Sequence, residues 1–266
     1  MGIINVTPDS FSGDGLHLDE DAAVDRGIGM FEAGAEFVDI GGESTRPFAD
    51  PVSEREEMLR VIGVVSRLAE LYPGRVSIDT MKPVVAAAAL EAGAAIVNDV
   101  SGLRDADMRS IVAEHGASVI IMHMLGEPRT MQNSPSYKDV VVEIVDYLKD
   151  RVTVAEKEGI DPTRIMVDPG IGFGKTLEHN LEIFRRLGEI GALGKPIVVG
   201  ASRKSFISGI SGERGDDRLG GSIAAAIVAA ANGASVVRVH DVPETVQALN
   251  IAWRISRKPN RARSGT

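Results

Sequence analysis

The chain has 266 residues, room for one barrel-sized domain, and no linker-like shift in composition divides it. Charged residues at 25% and apolar residues at 44% are the proportions of a soluble globular protein, and a formal net charge of −9 argues against a nucleic-acid surface. There is no cysteine, hence no disulfide framework or thiolate chemistry; the longest apolar stretch, 223–231, is too short to span a bilayer; and no signal pattern precedes the first strand, so the expected location is the cytoplasm.

Eight short apolar runs follow one another, each ending in polar or ionisable residues. The first, 3–4, stops at Asn5 and leads into a polar loop, 7–15, and a helix from about 18 to 33 that Gly34 stops. The second, 37–38, stops at Asp39 and runs into Gly41-Gly42-Glu43-Ser44-Thr45-Arg46-Pro47, before a helix from about 52 to 71 that Pro73-Gly74 breaks. The third, 76–78, ends at Asp79 and the fourth, 96–97, at Asn98, with helices predicted over 83–92 and 106–114. The fifth, 119–122, ends at His123; a polar loop, 125–136, and a helix over 137–158 follow. The sixth, 165–167, ends at Asp168 in the most glycine-dense segment of the chain. The seventh, 197–199, ends at Ser202, Arg203 and Lys204, and the eighth, 236–239, carries Arg238 and His240.

A strand that is apolar except at its C-terminal end belongs to a parallel sheet covered on both faces. Eight such units with helices between them predict an α/β fold, a single (β/α)8 TIM barrel over residues 1–256, followed by a basic, poorly ordered tail over 257–266. In that fold the strand ends converge on one mouth, so the eight endings describe a single pocket. The helix over 218–231 departs from the others: no charged residue lies between Leu219 and Val237, which predicts burial of more than one face and a homodimer interface.

Gly172-Phe173-Gly174-Lys175-Thr176 resembles a phosphate-binding P-loop only superficially, because the position of its first glycine is Pro169, which has no N–H to offer. The closely spaced glycines instead let the backbone pass beside a flat ligand, with Phe173 able to pack on it. Asp79, Asn98, Asp168 and Lys204 end four strands and are expected to point inward at similar height. An ionised carboxylate only accepts hydrogen bonds, so this set suits a nitrogen heterocycle with an amidine-like donor edge, with Lys204 donating to a ring carbonyl. Arg46, Arg238 and His240, with Asn5 and Thr45, form a second group that suits phosphate oxygens, and Asn5 can offer an oxygen to a Mg2+ ion held mainly by phosphate and water. The other reading of the arginines is that they pair with Asp39 or Glu43 and hold loops together. No Ser-His-Asp order, H-E-x-x-H motif or all-protein metal cage is present, and His115 and His123 read as structural.

Seven segments then carry a resemblance: Asn5-Val6-Thr7-Pro8-Asp9-Ser10-Phe11-Ser12, Gly42-Glu43-Ser44-Thr45-Arg46-Pro47, Ser77-Ile78-Asp79-Thr80, Asn98-Asp99-Val100-Ser101-Gly102, Asp168-Pro169-Gly170-Ile171-Gly172-Phe173, Ser202-Arg203-Lys204-Ser205 and Arg238-Val239-His240-Asp241. In this order they are similar to the signature segments of the dihydropteroate synthase family. The resemblance implies a sulfonamide-targeted transferase of folate biosynthesis that joins 6-hydroxymethyl-7,8-dihydropterin pyrophosphate to p-aminobenzoate. It implies that Asp79, Asn98, Met122, Asp168, Phe173 and Lys204 hold the pterin, and that Asn5, Thr45, Arg46, Arg238 and His240 hold the pyrophosphate, with Asn5 on its Mg2+. Phe11, Pro47, Lys204 and Ser205 would hold p-aminobenzoate, and Asp79, Asp168, Lys204, Arg238 and His240 would form the catalytic set. The mechanism it implies is SN1-like: pyrophosphate leaves first, the carboxylates favour the pterin cation, and closed loops exclude water.

Three features depart from the family's pattern. Gly13-Asp14-Gly15 shifts an acid by one place, Phe48 replaces the usual glycine after Arg-Pro, and the sequence opens directly at the first strand. A pterin-binding module of the methyltetrahydrofolate:corrinoid type is the alternative; it needs Asp79, Asn98 and Asp168 but not the pyrophosphate group.

Overall fold

Strands and helices alternate along the chain in a computed structural model that describes residues 1–7, 20–44, 51–128, 130–212 and 218–256. The roles expected of Phe11, Asp14, Thr45, Arg46, Pro47, Phe48 and the tail 257–266 lie outside the described residues. The strands are β1 (Gly2–Asn5), β2 (Val38–Gly41), β3 (Val76–Asp79), β4 (Ile96–Asp99), β5 (Ser118–Met122), β6 (Ile165–Asp168), β7 (Val198–Gly200) and β8 (Val236–Arg238). Between them lie α1 (Glu20–Glu32), α2 (Glu54–Leu71), α3 (Pro83–Glu91), α4 (Ala106–Glu114), α5 (Val140–Lys157), α6 (Leu177–Arg185), α7 (Leu187–Ile190), α8 (Ser205–Ser211) and α9 (Leu219–Ala231), and α10 (Val242–Ser256) follows the last strand.

Strands β1 to β6 pair in parallel and in chain order, and β7 pairs with β8. Two parallel bridges join these sheets into a ring. Val167 meets Ile197 between β6 and β7, and Gly2 meets Val239 between β8 and β1, where Ile3 N donates to Val239 O at 3.0 Å. The predicted TIM barrel is therefore the observed fold.

Strand side chains alternate in direction, and the two directions meet different surroundings. Ile4, Val38, Ile40, Val76, Ile78, Val97, Val119, Ile121, Ile165, Val167 and Val199 pack outward into the main core shared with the helices. The opposite parity fills the barrel floor with Met1, Ile96, Ile120 and Val198. Nearer the C-terminal strand ends the same inward parity delivers Asn5, Asp79, Asn98 and Asp168, which places them together above an apolar floor.

Two helices start later than their hydrophobic pattern predicts, because a side-chain cap decides the first turn. Ser53 accepts from Glu56 N and starts α2 at Glu54; Asp139 accepts from Val141 N and Val142 N and starts α5 at Val140. In α9 one stripe, Ser222, Ala226 and Ala229, is buried. Gly220, Ala224, Val228 and Ala231, on another stripe, are exposed in the single chain. Among the described residues no helix is long and apolar enough to cross a membrane.

Candidate functional site

The register sets the site out in rows. Asn5 lies opposite Gly41, Gly41 opposite Asp79, and Asp79 opposite Asn98, so four neighbouring strands present one row at the mouth. Met122 pairs with Asp168, and Gly200 with Arg238. The expected inward convergence of Asp79, Asn98, Asp168 and Lys204 is what the backbone produces. A glycine at position 41 keeps the row open: a Cβ there would lie 3.5 Å from Asp79 Cβ and 3.9 Å from Asn5 Oδ1, in space the two polar side chains otherwise share.

Below this row lies an ion cluster. Arg238 donates through Nε to Asp39 Oδ2 and through Nη2 to Asp79 Oδ2, each at 2.6 Å, and Asn98 Nδ2 donates to the same Asp39 oxygen at 2.8 Å. The guanidinium expected at the mouth with Arg46 is thus turned into the barrel and joins the end of β8 to β2 and β3. The cause is parity: Arg238 shares the inward direction of Gly200, and two buried carboxylates are within its reach. Of the two readings weighed for this arginine, pairing with Asp39 describes its position. Glu43, the other carboxylate considered, is engaged by Lys82, whose Nζ lies 2.8 Å from Glu43 Oε2 and 2.5 Å from the fully buried Glu57 Oε2.

Two carboxylates and one guanidinium leave this cluster with a surplus negative charge. Burial pushes Asp79 up to about 7 against the pull of Arg238, with Asp39 and Glu57 adding to the rise. Burial alone would lower the Arg238 pKa, but Asp39 and Asp79 hold it above the usual arginine value. Among the described residues, Asp39 Oδ1 and Asp79 Oδ1 are buried with no hydrogen-bond partner, so both retain accepting capacity.

The glycine-rich loop after β6 forms the opposite side. Asp168 Oδ1 accepts from Gly170 N at 2.6 Å, which closes a tight turn; Gly170 has φ +68°, and a Cβ there would lie 2.0 Å from His123 O, so only glycine fits. Burial raises the Asp168 pKa, with Lys204 opposing the rise. Lys204 is lowered to about 8 by burial, against the pull of Asp168. Its Nζ donates to Ile171 O and stands 4.5 Å from the centroid of the Phe173 ring. Phe173 and Met122 belong to one apolar wall with Val100, Met124 and Met131, so both fall where a flat ligand would need them.

His240 Nδ1 lies 3.0 Å from Ser202 Oγ, and Ser205 is exposed at the first turn of α8. Arg203, beside Lys204 in sequence, forms a salt bridge with Asp241 at 2.5 Å. His123 is structural, as expected, but close to the site: it is buried, and its Nδ1 lies 3.0 Å from Lys175 Nζ, which also donates to Phe173 O at 2.9 Å. The sequence reading passed over Lys175 as part of a failed P-loop and gave Asp39 no role in a site. An ionisable residue inside an apolar strand, Val38-Asp39-Ile40, is the signal that marks Asp39. Nothing in the local pattern marks Lys175.

Among the described residues no group of three or more His, Cys, Asp or Glu side chains is placed to hold a metal ion. Asn5 Oδ1 and Asp79 Oδ2 flank the open Cα of Gly41, and these hard oxygens suit an ion whose other ligands come from a substrate and water.

Comparison with known proteins places this geometry. The profile of the family described as pterin binding enzyme matches residues 1–240. Dihydropteroate synthase of Escherichia coli K12 is 44% identical over 251 residues, covering 94% of this chain and 89% of that protein. A Haloferax volcanii protein named "Probable bifunctional folylpolyglutamate synthase/dihydropteroate synthase" is 49% identical over 261 residues; they are 98% of this chain but 31% of that one, so the chain spans about a third of its length. The structure of Yersinia pestis dihydropteroate synthase in a sulfonamide drug complex superposes with a TM-score of 0.92 at 42% identity, over 96% of this chain and 93% of the other.

Proposed function

The chain belongs to the pterin-binding enzyme family, and to its dihydropteroate synthases, and we infer that it joins the 6-methylene carbon of dihydropterin pyrophosphate to the amino nitrogen of p-aminobenzoate, releasing pyrophosphate. The observation that carries the reading is the convergence of Asp79, Asn98, Asp168 and Lys204 beside the Met122–Phe173 wall, in a chain 44% identical to a named synthase. The alternative, a pterin module that serves a corrinoid, has no comparable support.

The residues divide the work by charge. The carboxylates of Asp79 and Asp168 and the amide of Asn98 accept from the donor edge of the pterin, and the Lys204 ammonium donates to its carbonyl. The surplus negative charge around Arg238 favours positive charge on the ring as the C–O bond to pyrophosphate breaks, which supports an SN1-like path. Arg238, fixed between Asp39 and Asp79, would meet the ring from below, and His240 would serve the pyrophosphate side. Thr45 and Arg46 would complete that side, and Phe11, Pro47 and Ser205 the p-aminobenzoate side. The arylamine is a neutral nucleophile, so positioning replaces a general base. Asn5 would help to hold a Mg2+ ion, which when bound neutralises charge on the leaving pyrophosphate.

The exposed stripe of Gly220, Ala224, Val228 and Ala231 on α9, beside exposed Ile251 and Ile255 one turn apart on α10, supports a homodimer across this face. The absence of cysteine supports a cytoplasmic location. Incubating the purified protein with dihydropterin pyrophosphate, p-aminobenzoate and Mg2+ tests the activity. Stoichiometric dihydropteroate and pyrophosphate, lost on chelation, are expected; tight pterin binding without product would favour the binding module.

A further inference from the structure

Asp39 touches neither ring nor pyrophosphate in the division of roles above, yet it binds two residues of the site, Arg238 and Asn98. It is fully buried on β2, one inward position below Gly41. Its Oδ2 accepts from Arg238 Nε at 2.6 Å and from Asn98 Nδ2 at 2.8 Å. An oxygen that receives a guanidinium N–H presents a lone pair and not a proton on that side, so the end of the Asn98 carboxamide facing it has to be the NH2 end. The amide plane of Asn98 is then determined: one N–H of its NH2 group is held by Asp39, and its carbonyl oxygen is turned away from that carboxylate. Asn98 stands in register beside Asp79, so the two offer adjacent acceptors to one ring.

We propose that Asp39 is a positioning residue for ring selectivity: by holding one N–H of Asn98 it fixes the carbonyl end of that side chain toward the ring, and the site selects a ring that presents an N–H donor to that oxygen. The proposal rests on the reading of the site as a pterin pocket. Alanine at position 39 removes the shared acceptor and lets the carboxamide at 98 face the ring with either end, so discrimination between donor and acceptor rings falls. A purely structural Asp39 would instead weaken the binding of both kinds of ring together.

Calorimetric titration of 6-hydroxymethylpterin and its 2-desamino counterpart separates these cases. The unaltered chain is expected to prefer the amino ring at least ~tenfold, the scale of one unmade hydrogen bond in a buried site. Asp39→Ala is expected to lose ~tenfold for the amino ring and little for the desamino ring. Asp39→Asn keeps a carbonyl oxygen able to accept from both Arg238 Nε and Asn98 Nδ2, and is expected to retain the preference. An unchanged preference in Asp39→Ala, or equal losses for both rings, overturns the proposal. A neutron structure of the unaltered protein with 6-hydroxymethylpterin decides the matter without any variant: deuterium on the Asn98 atom facing Asp39 supports it, and deuterium on the atom facing the ring overturns it. Failure of the unaltered chain to bind 6-hydroxymethylpterin would defeat the pterin reading and this inference with it, whereas binding with unchanged selectivity in Asp39→Ala defeats the inference alone.

Discussion

Replacing Arg238 by methionine tests the ion cluster directly. The change preserves most of the side-chain volume but removes the one cation between Asp39 and Asp79, which it contacts at 2.6 Å on each side. Removing one partner of a buried ion pair costs ~3–5 kcal/mol; because the Arg238 side chain keeps 19% of its exposure, the lower end, about 3 kcal/mol, is the expected loss. For a chain of this size that corresponds to a fall in melting temperature of roughly 6–12 °C. The loss depends on pH, and its sign follows from Asp79. With its folded pKa raised to about 7 from 3.8, the folded protein holds more protons than the unfolded one between those values, so stability falls as pH rises through that window. Without Arg238 the two carboxylates share a proton up to a still higher pH. Calorimetric melting should therefore show the largest deficit of Arg238→Met near pH 8 and a smaller one near pH 5.5, and adding Asp79→Asn should recover much of it. A variant melting within ~1 °C of the parent at pH 8, or a deficit equal at both pH values, would refute the argument.

Asp168→Asn should reduce pterin affinity at least ~tenfold while leaving the melting temperature close to that of the parent, since the amide can still accept from Gly170 N; undiminished affinity by calorimetry would remove Asp168 from the pocket. Pterin affinity should rise as pH passes about 7, where Asp79 ionises, and fall as pH passes about 8, where Lys204 loses its charge. Lys204→Arg keeps the charge and should abolish the alkaline limb at a lower absolute affinity; a limb that persists assigns it to another group. Val228→Asp places a charge on the exposed stripe of α9 and should convert a dimer to monomers in sedimentation without loss of fold, and an unchanged mass would place any dimer interface elsewhere.

The barrel was legible in the chain because its signal is local and repeated. Apolar runs such as 76–78 stop at one ionisable residue at or near the end of a strand, whereas the second run's stop, Asp39, lies inside β2. The convergence of the polar endings was legible for the same reason, since Asp79, Asn98, Asp168 and Lys204 each lie near a strand end or in the turn beyond it, and the inward parity of a parallel barrel does the rest. Helix starts at Glu54 and Val140 were displaced by caps at Ser53 and Asp139, a competition between a diffuse hydrophobic pattern and one specific hydrogen bond.

What the chain order could not reveal is which charges meet. Arg238 and Asp39 are separated by 199 positions, and Arg238 reads equally well as a phosphate ligand or as a buried partner until the ring closes. The sequence by itself determined the strands, their parity and the residues delivered to the mouth, because side-chain alternation and hydrophobic runs are properties of neighbours along the chain. Only the tertiary structure decided that Asp39 binds both Asn98 and Arg238, and that Lys175 lies against His123, because such pairings depend on the stagger of strands around a closed barrel, which no local segment encodes.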